Sequence, residues 1–520
     1  MTSLPPADAV EAGQPAADAA PAGPSPADAV HAGLSPADAA PAGLSPAGAV
    51  HAAARLAPER VAVVHRGGGT SFAELIAASG TARTALDALG LPAGQPIAVR
   101  AAKSPQTVAL ILACFAAARP VLLLSVDLGA QVAGNLVQRA GCAGVAAATG
   151  DGAFDWVPAP VPAGPPDLPP DTCLMLTTSG STGVPKIVPL TGAALGRFTG
   201  WAADTFALGA GTRVLSHAPL NFDLSLLDVW ATLAHGGTVV LVDPDRAANP
   251  AYLLDLVSTT RPHVVQAVPM FYRLLVSAAD GGHTVPEVRH VVLTGEHTPP
   301  TLRAALPELF PGAVLHNVYG CTETNDSFIH SFGADEARDG APLPLGTPLP
   351  GVHAHLAGDD GEPFDGPGTG ELVVSTPFQA VGYLAGDRFP VRAGRAWYRT
   401  GDLVTRDDRG RLVLVGRTDF QVKIRGVRVS LEEVEQVLLA HPDVAEAAVV
   451  ALPDAAAGAR ISAVLRPRSS GLTSLQVRTW CAQHLTRAAI PAVFDLRSAP
   501  LPVGVTGKVD RARLTKELTA

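Results

Sequence analysis

The sequence predicts an α/β protein, with a large N-terminal domain of β-sheets flanked by helices and a small α+β C-terminal domain. Three observations lead there. From about residue 55 onward, strand-like runs alternate with helical ones. The 520 residues, 47% hydrophobic and 16% charged, carry more apolar surface than one compact core usually holds. The residues after Gly416-Arg417-Thr418-Asp419 read as a compact βαβ-like unit behind a hinge. The expected domains are a disordered tail over 1–54, a core over 55–418 and a smaller unit over 419–520.

The tail is a decapeptide repeat whose copies begin at Pro5, Pro15, Ser25, Ser35 and Ser45. Proline near the start of each copy and glycine at its end oppose the helix that alanine favours. So short a Pro-rich period cannot bury a core. The last copy runs into a helix expected near Val50 to Leu56. Ser104-Pro105 and Asn249-Pro250 each place a capping side chain before a proline at the first helical position. Strands are expected at Cys173–Thr178, Thr238–Val242, His290–Thr294 and Arg411–Val415. Ser430 and Glu433 form a capping-box pattern ahead of Leu431, Val434, Val437 and Leu438, which makes Glu432 and Glu433 solvated or capping carboxylates.

Composition excludes several classes. Net charge is −9 and the 38 basic residues are scattered, which opposes nucleic acid as a partner. The five cysteines are far apart with no C-x-x-C spacing, so neither a disulfide framework nor a structural zinc is expected. The longest apolar run, Thr107 to Ala118, is too short to span a membrane. No signal peptide is recognisable at the start. The expectation is a cytoplasmic protein with no membrane partner.

One segment stands out for its chemistry. Thr177-Thr178-Ser179-Gly180-Ser181-Thr182-Gly183-Val184-Pro185-Lys186 follows an apolar strand. Backbone N–H groups and hydroxyls of such a loop can surround phosphate oxygens, and Lys186 adds a cation. The spacing is not that of a Walker A loop. Only five of the 38 basic residues are lysines, and Lys186, Lys423 and Lys508 sit in glycine-containing motifs. A compact, mobile cation suits such positions better than arginine does.

TTSGSTGVPK is followed in order by Asn317-Val-Tyr-Gly-Cys-Thr-Glu323, Tyr398-Arg-Thr-Gly-Asp402, GRTDFQVKIRGVRVSLEEVE and Gly507-Lys508-Val-Asp-Arg511. Across roughly residues 55–515 the chain resembles the adenylate-forming superfamily of acyl-CoA synthetases, adenylation domains and luciferases. It looks most like the amino-acid-activating domains of nonribosomal peptide synthetases. Ala117–Asp127 departs from the family's glycine and proline pattern, and Cys321 stands where proline is common.

The resemblance implies ATP and Mg²⁺ as cofactors and an acyl-adenylate as intermediate. Thr178, Ser179, Gly180, Ser181, Thr182, Gly183 and Lys186 would hold the departing phosphates. Thr322 would contact the α-phosphate and Glu323 would ligate Mg²⁺. Tyr319 would pack on adenine, Asn317 would bond its edge, and Asp402 would take both ribose hydroxyls with Arg417 nearby. Lys508 would bridge the carboxylate and the phosphate. Asp402 also reads as a turn residue, Arg417 as a surface ion pair and Tyr319 as plain core.

Asn221-Phe222-Asp223-Leu224-Ser225 matches the segment whose aspartate pairs with a substrate α-ammonium; otherwise Asp223 would be a helix N-cap. By resemblance, Leu224, Leu227, Ala267, Val292, Thr294, Val318, Asp326 and Ser327 complete a pocket for a small or modestly polar amino acid, α or β. The smaller C-terminal domain would be mobile, rotating about Asp419 so that the segment at Gly426 approaches a thiol. The chain ends at Ala520, soon after Lys508, so the thiol is expected from a separate carrier protein, or else from coenzyme A. The rival expectations are a coenzyme A ligase for a small acid and a nonenzymatic nucleotide-binding protein of the same fold.

Overall fold

The first helix, Pro46–Leu56, begins inside the last copy of the repeat. Ser45 caps it by accepting from the Gly48 amide at 3.1 Å, and Pro46 fills a position where a missing N–H costs nothing. Ala47, Val50, Ala53 and Ala54 lie on one face of it, buried in the main core. The residue-54 boundary of the tail is therefore too late, because apolar spacing already starts at Ala47. The computed structural model describes residues 45–160, 168–178, 185–279, 282–384, 386, 388–417, 421–454, 457–468, 471–502 and 509–519. The first four repeat copies, Ser179 to Gly183, the expected hinge Asp419 and Lys508 lie outside the described residues.

The capping signals act as the sequence indicates. Ser104 accepts from Thr107 N, Asn249 from Tyr252 N and Ser430 from Glu433 N. The expected strands appear as Thr172–Thr178, Thr238–Leu241, His290–Thr294 and Leu412–Arg417. Among the described residues no helix is long and apolar enough to cross a membrane.

Two largely parallel sheets set the site. In the nine-stranded sheet, Arg213–Ser216 lies between Thr238–Leu241 and Val264–Ala267, both parallel to it. The chain leaves that strand for one neighbour and later returns on the other side. In the six-stranded sheet, Ile97–Arg100 likewise lies between Val121–Leu124 and Gly144–Ala148. Helices packed on opposite faces diverge at such reversals and leave a crevice beyond the strands' carboxyl ends. Both crevices open on one cavity: Ala101–Ser104 line it after one central strand and His217–Pro219 after the other.

An antiparallel five-stranded sheet completes the large part, with Tyr398–Arg406 beside Leu412–Arg417. The C-terminal part holds the hairpin Gln421–Ile424 and Val427–Ser430, and a sheet of Val444–Asp454, Gly458–Pro467 and Val493–Leu496. Alternation sorts that sheet's residues by face. Val449, Ala463 and Leu465 pack with Val434, Leu438 and Val477, while Val450, Leu452 and Val464 pack with Leu501 and Leu514. The core clusters of the large part draw only on residues up to Leu412, and these two draw only on residues from Val422 onward.

Candidate active site

The cavity encloses about 1030 Å³ between the carboxyl ends of both parallel sheets and the C-terminal hairpin. Thr177 and Thr178, Asp223 and Leu224, Ala267, Thr294, Thr322 and Glu323, Asp326, Asp402, Arg417 and Gly426 all line it. Residues distant in sequence are thus brought to one wall by the topology.

At one end, Asp402 and Arg417 face each other across adjacent antiparallel strands, and Arg417 donates to Asp402 Oδ1. Tyr319 OH donates to Asp402 Oδ2 at 2.5 Å, and the Asp402 amide donates to Thr400 Oγ1 at 3.0 Å. Arg417 also donates to the Thr400 carbonyl at 3.1 Å. Asp402 is therefore neither a plain turn residue nor a partner in a surface ion pair. Tyr319 itself does not reach the cavity wall. Its ring sits in the main core, edge-on to Phe328, and burial followed by the Asp402 charge keeps its phenol well above the ordinary range. Asn317 gives its side-chain amide to the Pro344 carbonyl at 2.8 Å and does not line the cavity. Of the two residues expected at adenine, Tyr319 packs in the core beside the cavity-lining Asp402 and Asn317 is bonded to Pro344.

Glu323 is only 2% exposed. Its Oε1 accepts from Tyr383 OH at 2.8 Å and from Thr178 Oγ1 at 3.3 Å. Burial, then the charge of Glu323, raises the Tyr383 phenol. Lys186 pairs with Thr178 across the hairpin that the phosphate-type loop closes, and its Nζ stands 4.4 Å over the Tyr383 ring. The oxygens of Glu323, Thr178 and Tyr383 suit a hard divalent cation. Among the described residues no group of three or more His, Cys, Asp or Glu side chains could hold one without other ligands. That combination fits Mg²⁺, which keeps waters and phosphate oxygens in its shell.

At the other end, Asp223 accepts from Thr322 Oγ1 at 2.7 Å. It does not cap the following helix. The turn Leu226–Ala231 is π-helical, starts after Ser225 and has no side-chain cap. Burial raises the Asp223 carboxyl, and the Thr322 bond partly offsets this. Asp326 is pushed up to about 8, by burial first and then by Asp223. Leu224, Ala267 and Thr294 line the wall as expected. Leu227, Val292, Val318 and Ser327 do not; they are fully buried behind it.

Other residues here carry no spacing signal. Gln266 donates to the Leu224 carbonyl and to Asp228 Oδ1, both at 3.0 Å. Lys103, buried on the same floor, donates to the Ser216 carbonyl at 2.5 Å, and burial takes it down to about 7 despite Asp228. Glu433 is not a solvated carboxylate: it is buried, lines the cavity, and burial raises it to about 7. Glu296 Oε1 accepts the Gly426 amide at 2.5 Å, fastening the C-terminal hairpin to the large part. Gly426 has φ +82°, and a Cβ there would meet Val268 Cγ1 at 2.6 Å. Only glycine lets the hairpin sit this close. Lys423 and Arg425 of the hairpin line the cavity too.

Residues 143–384 match the AMP-binding enzyme family, and residues 433–508 match the AMP-binding enzyme C-terminal domain. An L-proline–[L-prolyl-carrier protein] ligase of Streptomyces coelicolor is 36% identical over 358 residues, 67% of each chain. This chain is an AMP-binding enzyme family member. A phenyloxazoline synthase MbtB of a Mycobacterium species is 32% identical over 482 residues, which are 89% of this chain but 41% of that longer protein. Among solved structures, IdnL1 superposes with a TM-score of 0.74 at 27% identity, covering 88% of this chain and 98% of its own. The family's two matched segments meet at the cavity, the first supplying Asp223, Thr322, Glu323 and Asp326 and the second supplying Glu433.

Proposed function

We propose that the chain uses ATP to activate an amino acid as its aminoacyl-adenylate and then passes the acyl group to the phosphopantetheine thiol of a carrier protein. The observation that carries this reading is the convergence of Asp223, Glu323 and Asp402 on one cavity against which the Gly426 hairpin is docked. The carrier-ligase activity in the name of the Streptomyces relative supports the choice of acceptor.

In the first step, a carboxylate oxygen of the amino acid attacks the α-phosphorus of ATP. The bond to the β-phosphate breaks and pyrophosphate leaves. Asp402, fixed by Arg417 and Tyr319, takes the ribose hydroxyls and so orients the α-phosphate. Thr322 lies between the phosphate and the acid, because its hydroxyl already reaches Asp223. Asp223 holds the α-ammonium, whose charge offsets the burial of that carboxylate. The loop from Thr178 to Lys186 would surround the leaving phosphates, and Lys508 would carry positive charge to the oxygens that join acid and phosphate. Glu323 with Thr178 would hold Mg²⁺, which neutralises phosphate charge when bound.

In the second step, the thiol sulfur attacks the acyl carbon, the bond to AMP breaks and the thiol proton is lost. The Gly426 hairpin borders the cavity and is held by Glu296, an arrangement that suits this half-reaction. Residues 419–520 act as a lid that turns about Asp419 to bring Lys508 in for the first step. Neither Pro502 nor Val509, the nearest described neighbours of the Lys508 segment, lines the cavity, and Val509 packs on the far face of the lid sheet.

Amino-acid-dependent ATP–pyrophosphate exchange, followed by loading of a pantetheinylated carrier, tests this reading. Exchange with at least one amino acid and a thioester on the carrier are expected. Exchange with no amino acid, or thioester formation with free coenzyme A alone, contradicts it.

A further inference from the structure

Four carboxylates lie in or against the acid end of the cavity, and three of them accept at least one hydrogen bond. Asp223 accepts from Thr322, and Glu323 accepts from Tyr383 and Thr178. Asp228 accepts from Gln266 and interacts with Lys103. Asp326 is different. Among the described residues it accepts no hydrogen bond and joins no ion pair, yet it lines the cavity.

Local backbone puts it there. Asp326 opposes Gly320 across the antiparallel pair, next to a register shift between Tyr319 and Gly320. Such a bulge re-aims the side chains beside it. A Cβ at position 320 would meet Asn325 O at 2.4 Å, so the two strands close here only because that residue is glycine. Asn325, at φ +54°, is anchored through its side-chain amide to the Phe378 carbonyl at 2.8 Å. The turn that delivers Asp326 is therefore tightly held.

The polar side chains at this end are largely committed, and among the described residues neither Lys103 nor Arg425 forms an ion pair with Asp326. Gln266 has given both amide protons away, to Leu224 and Asp228. Leu224, Ala267 and Val268, which line the same cavity, are apolar, and Thr294 there offers one hydroxyl. A substrate with a single ammonium satisfies Asp223 and leaves a second carboxylate buried against it. Burial, and then the Asp223 charge beside it, raises the Asp326 carboxyl. A buried polar group without a partner is costly, and a site built around one discriminates strongly between ligands that supply the partner and those that do not.

Resting on the adenylation reading above, we propose that the acid selected by this cavity is a short diamino acid, with its α-ammonium on Asp223 and its side-chain ammonium on Asp326. Neutral amino acids of the same size enter but leave Asp326 unpaired.

The test is ATP–pyrophosphate exchange by the whole chain with two matched pairs. These are 2,3-diaminopropionate against 2-aminobutyrate, and 2,4-diaminobutyrate against norvaline. One diamino acid should exceed its partner in kcat/KM by about 100-fold. In Asp326→Asn that preference should shrink by about 30-fold, with kcat/KM for the diamino acid falling far more than for its neutral partner. The wild-type comparison does not depend on how the variant folds. Three results overturn the proposal while leaving adenylation intact: a neutral amino acid preferred by the wild type, β-alanine preferred over both pairs, or an equal loss of both partners in Asp326→Asn. Absence of exchange with any amino acid overturns the adenylation reading first, and the diamino acid with it.

Discussion

At the Asp402 end of the cleft the polar groups already answer one another, whereas at the Asp326 end a cavity-lining carboxylate accepts no hydrogen bond among the described residues. Asp402 is held by Arg417 and Tyr319, and its amide is held by Thr400, before any nucleotide arrives. Such pre-pairing fixes geometry and suits a part of the substrate that never varies. The acid end keeps its charge uncompensated, which makes binding depend on what the ligand brings. Rigid recognition and selective recognition thus come from the same residue type, separated by whether the protein supplies the counter-charge.

The sharpest way to break this contrast is at the rigid end. Asp402→Ala removes the acceptor shared by Arg417 and Tyr319, and kcat/KM for ATP in the exchange assay should fall by about 100-fold. KM for the amino acid should move far less. A loss confined to the amino acid would erase the distinction between the two ends.

A smaller effect is expected at the lid. Gly426→Ala forces a Cβ into Val268 and strains a left-handed backbone position. Carrier loading should slow by about tenfold, an order of magnitude typical of a misplaced positioning element. Pyrophosphate exchange should stay within about threefold of wild type, since it does not use the docked hairpin. Glu296→Ala, which removes the acceptor for the Gly426 amide, should act in the same direction and more weakly. Equal loss of both half-reactions in either variant would show that the hairpin contact serves folding rather than thiol delivery.

The least effect, and the one most specific to the acid end, is on stability. Burial takes His217 and His290 down to about 4, so their stabilisation, present above the usual histidine range, is lost as pH falls from 6.5 toward 4. Asp326 and Glu433 are raised to about 8 and about 7, so their contribution is full below the ordinary carboxylate range and is lost progressively as pH climbs from there through those values. Asp326 meets Asp223 and Asp228 there, which add to the loss. Above about pH 6.5 the histidines no longer change, so the two carboxyls should lower the melting temperature of the ligand-free protein there, against the rise that the depressed Lys103 brings above about pH 7. Asp326→Asn should remove part of the downward slope between about pH 4 and pH 8. An unchanged slope there in that variant would deny Asp326 its uncompensated charge.

Much of the fold and part of the site were legible in the sequence because they depend on local chemistry. Ser104-Pro105 and Asn249-Pro250 specify helix starts within a few residues, and Asp223, Thr322, Glu323, Asp402 and Arg417 sit in short ordered motifs. Residues that act through long-range placement gave no such signal. Tyr383 meets Glu323 from a loop far along the chain, and Glu296 meets Gly426 across the cleft. Lys103 reaches the cavity floor only because the central strand of the six-stranded sheet ends there. Glu433 looked like a capping residue because its spacing from Ser430 fits one, but spacing does not say what packs over a helix. The motif around Asn317 and Tyr319 likewise orders residues along a strand without saying that one side chain meets Pro344 and the other Asp402.

Oxygen transfer tests the central claim most directly. The wild-type chain would be given ATP, a carrier and an amino acid labelled with ¹⁸O in its carboxylate, and the AMP would be weighed by mass spectrometry. Attack of the carboxylate on the α-phosphorus predicts one ¹⁸O atom in each AMP released upon thioester formation. Unlabelled AMP, or ADP and phosphate in its place, would contradict it.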